Sequence, residues 1–275
     1  MVAGWIGWGK GQRSVLSTRT GIQEVVSLGS GEPLVLLHGL CGGQNLVLPL
    51  AEELAKNRRV IVPQLRGEEW SFCVRPYSLS DLAADVGSLF EALQLEKPAL
   101  MGVSFGAAVA LEFAVHHPHR ISDLIIQGGA GRFRAGVFVD VAKAVLGRLP
   151  LDETSPVVSR FFRVLCGRRK PPKEQFQAIL EHCWSTDQIV MSQRLAMLEG
   201  YDVSGRVGDI ECPTTVLIGS EDVLIGAGDA EALTNEFSDG DCQVLDGAGH
   251  LAFVTHAAAI AEAVLHRSWE TAAAA

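Results

Sequence analysis

The sequence predicts an α/β protein in which a mostly parallel central sheet is covered by helices on both faces. Two observations support this fold class. Short apolar runs such as Leu34-Val35-Leu36-Leu37 are continuous rather than alternating, which is typical of strands buried on both faces. Segments whose apolar residues recur every three or four positions lie between these runs and predict helical, right-handed crossovers.

The first half of the chain contains this alternation of strands and helices. We predict strands over 21–32, 33–39, 58–64, 98–103 and 121–129. Because a Gly-Ser-Gly turn ends the first of these strands, we expect it to form a hairpin with the second. Helices are predicted over 78–95, with Ser78 or Ser80 as the N-cap, and over 105–117.

The alternation breaks between the strand that ends near Gly128 and the next predicted strand, at 214–220. A crossover with its strands needs only about 30 residues, so this interval contains an additional unit. Its apolar residues have helical spacing, and we predict a helical insertion at 131–205 that lies over the sheet. Residues 1–130 and 206–275 would then form one core. The predicted core is completed by a helix near 227–237, a strand at 242–250 and a helix at 253–267.

Composition and charge limit the function classes. The formal net charge of −9 argues against binding to nucleic acid, which requires a basic surface. The sequence has neither an apolar run of about 18 residues nor the charged and apolar blocks of a signal peptide, so we expect no membrane span and no secretion. The six cysteines have no CxxC or metal-ligand spacing, which predicts reduced thiols, no metal site and a cytoplasmic location. Homo-oligomerisation is left open.

The stretch Gly102-Val103-Ser104-Phe105-Gly106 contains the candidate nucleophile. It lies between a predicted buried strand and a predicted helix of small residues. A turn that sharp forces Ser104 into a strained backbone conformation, and the two glycines leave room for it. The serine hydroxyl would then project at the carboxyl end of the sheet, beside a helix N-terminus that stabilises negative charge.

A serine nucleophile needs a general base and a carboxylate that orients the base. His250 ends the segment of the last predicted strand, 242–250, and would lie on a loop at the same edge of the sheet as the serine. Asp222 follows the preceding strand and is the predicted acid, with Glu221 as the first alternative and Asp229 as the second. The predicted catalytic triad is therefore Ser104, Asp222 and His250, in that order along the chain.

The backbone N–H groups of Leu40 and Phe105 are predicted to form the oxyanion hole, the pair of donors that stabilises a tetrahedral intermediate. His38 and Gly39 make the turn before Leu40, and we interpret His38 as a structural hydrogen-bonding residue rather than a second base. Cys41 is an alternative nucleophile, for which no second carboxylate–histidine pair is left. The candidate substrate-binding residues are His38, Gly39, Cys41 and Trp184.

These motifs resemble those of the α/β-hydrolase fold family, in the same order and over about residues 20–268. The matching pieces are His-Gly-Leu-Cys-Gly-Gly at 38–43, Gly-Val-Ser-Phe-Gly at 102–106, Gly-Ser-Glu-Asp at 219–222 and Gly-Ala-Gly-His at 247–250. The resemblance implies that 131–205 is a helical cap, inserted after the sixth strand and placed over the active site. One departure lies at 64–71, where Gln64 and Glu69 replace the usual Asp and Gly. The shape of this loop, and an acidic rim formed by Glu68 and Glu69, are left open.

The resemblance and the triad together predict a serine hydrolase, a carboxylesterase or lactonase that needs no metal or organic cofactor. Small to medium hydrophobic esters or lactones are the predicted substrates, because the insertion is rich in aromatic residues that would either line a pocket or form the insertion's own core. These residues are Phe133, Phe138, Phe161, Phe162, Phe176 and Trp184. Alternatives on the same triad are hydrolysis of a C–C bond in a ring-fission product and acyl transfer to an acceptor other than water. A non-catalytic small-molecule receptor is a further alternative, which the loss of a triad residue would have favoured.

Overall fold

The computed structural model of the protein describes residues 11–68, 76–133, 142–143, 145–146, 148 and 151–274. Two residues named above, Glu69 and Phe138, lie outside the described residues. The strands are β1 (Gln12–Thr18), β2 (Gly21–Leu28), β3 (Pro33–Leu37), β4 (Arg59–Pro63), β5 (Ala99–Val103), β6 (Leu124–Gln127), β7 (Thr214–Gly219) and β8 (Gly240–Leu245). Within the described ranges they form one sheet in the order β1-β2-β4-β3-β5-β6-β7-β8.

The strands from β3 to β8 are parallel to one another, whereas β2 runs antiparallel to both of its neighbours, β1 and β4. The helices are α1 (Gly43–Leu54), α2 (Leu79–Ala92), α3 (Phe105–His116), α4 (Pro156–Leu165), α5 (Lys173–Trp184), α6 (Gln188–Met197), α7 (Ala227–Thr234), α8 (Ala252–Thr255) and α9 (Ala257–Ala274). Ser78, one of the two predicted N-caps, caps α2. The predicted fold class, a mostly parallel sheet with helices on both faces, is confirmed.

The predicted hairpin between the first two predicted strands, β2 and β3, is wrong. β2 pairs with β1 and β4, whereas β3 pairs with β4 and β5. The loop between β2 and β3 passes the start of β4 instead of turning back, and Arg59 N–H donates to Glu32 O at 3.1 Å. Gly29 permits this close passage, since its φ is 70° and a Cβ there would lie 2.3 Å from Arg58 O. β1 is absent from the sequence-based prediction because its residues are largely exposed and form no continuous apolar run.

Two apolar clusters, one on each face of the sheet, form the core. α2 and α3 cover one face, where the rings of Phe90 and Phe113 meet edge to face with centroids 5.1 Å apart. α1, α8 and α9 cover the opposite face, where Leu50 is fully buried. Successive residues of a strand, such as Leu100 and Met101 in β5, belong to opposite clusters because a pleated strand alternates its side chains.

The described part of the interval between β6 and β7 is helical and contains α4, α5 and α6. Phe162 on α4 and Ile179 on α5 are buried in the same apolar cluster as α1. The turn after α4 also bonds directly to the loop after β8, because Arg168 N–H donates to Gly247 O at 3.2 Å. Among the residues that the structure describes, no helix is both long enough and apolar enough to cross a membrane.

Candidate active site

Ser104 lies at the turn between β5 and α3, in a backbone conformation that is rare for residues other than glycine. Its φ is 52° and its ψ is −117°. The two flanking glycines are required by the closeness of the surrounding backbone. A Cβ at Gly102 would lie 2.3 Å from Gly106 O, and a Cβ at Gly106 would lie 2.5 Å from His38 O. Strand, turn and helix are therefore packed so tightly that this serine occupies a sharp turn at the carboxyl edge of the sheet.

His250 and Asp222 complete a chain of hydrogen bonds with this serine. His250 Nε2 is 2.8 Å from Ser104 Oγ, and His250 Nδ1 is 2.8 Å from Asp222 Oδ2. Asp222 follows β7 and His250 follows β8, so two neighbouring parallel strands place both side chains at one edge of the sheet. The carboxylate is completely buried and the imidazole nearly so. The structure thus brings together the three residues predicted to form the triad.

The carboxyl group of Asp222 is held in its charged form. Burial opposes its ionisation, but the interactions with His250, together with two backbone N–H groups, outweigh burial and lower the pKa of Asp222. These N–H groups belong to Leu224 and Ile225, which donate to Oδ1 at 2.8 and 3.0 Å. Because the ionised carboxylate accepts a hydrogen bond from Nδ1, His250 Nε2 is left to accept the proton of the serine hydroxyl. This is the tautomer that a general base needs.

The two alternative acids have other partners. Glu221 forms an ion pair with Arg168, which follows α4. Asp229 lies in the first turn of α7, where its carboxylate accepts a hydrogen bond from Gly226 N–H at 3.4 Å. Since the carboxylate that contacts His250 is that of Asp222, the geometry favours Asp222 as the acid.

The loop after β3 passes directly beside the serine. A Cβ at Gly39 would lie 3.5 Å from Ser104 Cβ, so residues 38–43, which we call the oxyanion loop, border the nucleophile. Phe105 is the first residue of α3, and N–H groups in the first turn of a helix have no partner within that helix. Leu40 on the loop and Phe105 on the helix therefore flank Ser104. We propose that their N–H groups form the oxyanion hole.

His38 is fully buried, and both of its ring nitrogens contact the backbone. Nε2 accepts a hydrogen bond from Leu65 N–H, so Nδ1 carries the ring proton and donates it to Gly39 O, each at 3.0 Å. Burial, followed by repulsion from Arg194, lowers the pKa of His38 to about 3, so the ring stays neutral. This burial does not favour the predicted contact between His38 and substrate, and we propose instead that His38 fixes the oxyanion loop.

Cys41 and Trp184 are two further candidates for substrate binding. The thiol of Cys41 hydrogen-bonds to the thiol of Cys183 on α5, whose pKa is raised well above its ordinary value, chiefly by burial. The indole N–H of Trp184 donates to Leu151 O at 2.9 Å, and its ring packs edge-on against Phe162 with centroids 5.9 Å apart. Trp184 therefore belongs at least in part to the insertion's own packing. Contact between substrate and either Cys41 or Trp184 stays a prediction.

Three polar residues around the oxyanion loop are not among the predicted site residues. Arg194 on α6, Thr186 before α6 and Glu68 after β4 form a buried hydrogen-bonded network. Glu68 is only 5% exposed, so it does not contribute to an acidic rim. One sequence signal pointed toward this region, the departure of residues 64–71 from the usual pattern. A single arginine in an amphipathic helix gives no sign that it is buried.

A sequence model of the family described as alpha/beta hydrolase fold matches residues 32–257, which is most of the chain. The chain belongs to this family. The resemblance predicted from its motifs is confirmed, and the protein is an enzyme of the alpha/beta hydrolase type.

This alpha/beta hydrolase is similar to both C–C hydrolases and esterases. It is 36% identical over 114 residues to 2-hydroxy-6-oxo-2,4-heptadienoate hydrolase of Pseudomonas putida, a match that covers 38% of this chain but only 40% of that relative. It is 26% identical over 246 residues to 2-hydroxy-6-oxo-6-phenylhexa-2,4-dienoate hydrolase of Burkholderia cepacia, over 83% of this chain and 85% of that protein. A solved thermophilic esterase from Thermogutta terrifontis has a TM-score of 0.80 at 25% identity, over 94% of this chain and 98% of that one.

Proposed function

We propose that this alpha/beta hydrolase is a carboxylesterase or lactonase that cleaves small to medium hydrophobic substrates through an acyl-enzyme intermediate. The observation that carries the proposal is the continuous chain of hydrogen bonds from Ser104 through His250 to Asp222, with 2.8 Å at each step. Such a chain supplies a nucleophile, a base and an orienting carboxylate. The likeness to the Thermogutta terrifontis esterase supports the same reaction class.

The proposed reaction has two halves. In the first, His250 Nε2 removes the hydroxyl proton of Ser104 while Oγ attacks the substrate carbonyl, and the N–H groups of Leu40 and Phe105 bind the oxyanion. His250 then gives its proton to the leaving alcohol, and the acyl group stays on Ser104. In the second half, His250 activates a water molecule that attacks the acyl group and releases the acid. Asp222 stabilises the imidazolium in both halves.

A second candidate is hydrolysis of a C–C bond beside a carbonyl group in a ring-fission product. The observation that favours it is the similarity to the dienoate hydrolases of Pseudomonas putida and Burkholderia cepacia. The two candidate reactions would use the same triad and differ in the bond that breaks. Acyl transfer differs in the group that attacks the intermediate, so products as well as rates separate the three.

We also propose that residues 131–205 form a cap over a core made of 1–130 and 206–275. Contacts of the described insertion with the site loops support this placement over the site: Gly167 bridges to Ala248, and Gly42 N–H donates to Thr186 Oγ1 at 2.9 Å. A small-molecule substrate would then bind Ser104 beneath the cap.

A cytoplasmic location is also proposed. The described cysteines are free thiols, which supports it.

The proposed function is tested by a substrate panel on the purified protein: p-nitrophenyl esters of increasing acyl length, lactones and a ring-fission product. We expect turnover of an ester or lactone, and a loss of at least about 1,000-fold in Ser104→Ala. Ser122→Ala, at an exposed serine that bonds to Asp123, is the matched control and should retain wild-type activity. Faster turnover of the ring-fission product would favour the second candidate. No turnover of any substrate, with no fluorophosphonate labelling of Ser104, would favour the non-catalytic receptor.

A further inference from the structure

Arg194, on α6 of the insertion, is fully buried against the oxyanion loop of the core. Its Nη1 donates to Leu40 O at 2.8 Å and to Glu68 Oε1 at 2.7 Å, and its Nη2 donates to Arg66 O at 3.1 Å. The guanidinium carbon also lies 5.7 Å from the centre of the Phe105 ring. One side chain of the insertion therefore contacts both residues that carry the proposed oxyanion donors.

Thr186 holds the same loop at a second point. Its hydroxyl oxygen accepts a hydrogen bond from Gly42 N–H at 2.9 Å, and its proton points to Glu68, whose Oε1 is 3.0 Å away. Glu68 thus accepts hydrogen bonds from both Thr186 and Arg194. The network therefore forms hydrogen bonds with the oxyanion loop at two points, the carbonyl of Leu40 and the N–H of Gly42.

Stability alone is a weak reason for this network. Removing a charged pair from water costs free energy, and apolar residues of similar volume in place of a buried ion pair are often as stable or more so. Arg194 Nε has no hydrogen-bond partner among the described residues, but both Nη groups of Arg194 and the hydroxyl of Thr186 are bonded, and these buried hydrogen bonds fix the positions of the groups they bind. Here those groups are backbone atoms of the loop that borders Ser104.

We propose that Thr186, Glu68 and Arg194 are positioning residues that hold the oxyanion loop in its reactive geometry. This inference rests on the proposed function, because it assigns the network to the oxyanion hole of that same site. The oxyanion exists in the transition state and not in the bound substrate, so loss of the network lowers kcat and leaves KM nearly unchanged. This role would mean that the insertion contributes to catalysis as well as lying over the active site.

Thr186→Val is the variant that tests the proposal, since it keeps the side-chain shape and removes the hydroxyl. With the best p-nitrophenyl ester we expect kcat to fall by about 10- to 100-fold and KM to change by less than about threefold. Thr186→Ser restores the hydroxyl and should recover most of kcat. The matched control is Thr234→Val, at another buried threonine, whose hydroxyl bonds to Ala230 O within α7. Inhibition by an alkylboronic acid, whose tetrahedral adduct resembles the intermediate, should weaken by the same factor as kcat.

Amide hydrogen exchange of residues 38–44 gives a readout that does not depend on activity. Exchange in this segment should be faster in Thr186→Val than in the wild type, Thr186→Ser and Thr234→Val. Wild-type exchange or wild-type kcat in Thr186→Val would overturn the positioning role, as would an equal loss of kcat in Thr234→Val. By contrast, an inactive wild-type protein whose Ser104 resists fluorophosphonate overturns the proposed function and, with it, the catalytic assignment of the network.

Discussion

Asp222 and Glu221 are adjacent in the chain, yet their carboxylates have different surroundings. Both oxygens of Asp222 are bonded, Oδ2 to the ring of His250 and Oδ1 to two backbone N–H groups. Glu221 pairs instead with Arg168, and 30% of its side chain is exposed. A turn after β7 that was longer or shorter by one residue would place the other carboxylate beside His250. For this reason the sequence pattern predicts a carboxylate after β7 more firmly than it predicts which one.

Asp222→Asn is expected to lower kcat by about 1,000- to 10,000-fold without unfolding the protein. The amide that replaces the carboxylate oxygen can donate to His250 Nδ1, which favours the tautomer whose Nε2 carries a proton and cannot act as a base. Glu221→Gln is the neighbouring control and should keep kcat within about threefold, since a partly exposed ion pair contributes little. Steady-state kinetics on the best ester compares the two variants. A large loss in Glu221→Gln together with a small loss in Asp222→Asn would show that the acid is Glu221.

Single residues also differ in how far sequence alone identifies them. Ser104 is predictable because its two glycines are forced by local geometry and stand at fixed spacing around it. Arg194 and Thr186 are not, because their partners, Leu40 and Gly42, lie more than a hundred residues away in the chain. Their roles depend on how the insertion docks, and a local pattern contains no information on docking.

The turn between β5 and α3 is the element on which the site depends most. Gly102 and Gly106 bring strand, helix and oxyanion loop to within backbone contact of one another. Helices and buried parallel strands are predicted well here because their periodicity is local. The predicted hairpin is wrong because the partners of β2 are β1 and β4, and the local turn after β2 contains no information on either strand.

Gly102→Ala is expected to destabilise the protein by at least about 2 kcal/mol and to reduce activity, because the new methyl group meets backbone rather than a movable side chain. A Cβ at position 102 would lie 2.3 Å from Gly106 O, whereas a Cβ at the exposed Gly228 meets nothing within 4 Å. Gly228→Ala, in α7, should therefore stabilise the protein by up to about 1 kcal/mol. Urea denaturation measures both free energies of unfolding. Equal effects of the two substitutions would contradict the proposed tightness of the turn.

At the scale of the whole molecule, histidines whose pKa is lowered in the folded protein make stability depend on pH. Burial is the first cause of a lowered pKa at His38, His117, His182 and His256. Each of these groups binds a proton more readily in the unfolded chain than in the folded protein. Acid therefore favours unfolding, and the free energy of unfolding is expected to fall as the pH drops below about 6.5.

His38 should dominate this dependence, because it is fully buried and its pKa changes from 6.5 in the unfolded chain to about 3 in the folded protein. Protonation of this group lowers the free energy of unfolding progressively as the pH falls from about 6.5 to about 3. At pH 5 the loss amounts to about 2 kcal/mol. Carboxylates remain largely ionised between pH 7 and pH 5, so they add little to the pH dependence in this interval.

In His38→Gln the glutamine amide oxygen takes the place of Nε2 as acceptor for Leu65 N–H. The loss of stability between pH 7 and pH 5 should therefore be smaller than in the wild type by about 2 kcal/mol. Urea denaturation at the two pH values measures this loss of stability, and His119→Gln, at an exposed histidine, is the control. An undiminished loss in His38→Gln would mean that His38 is not the group that acid protonates on unfolding.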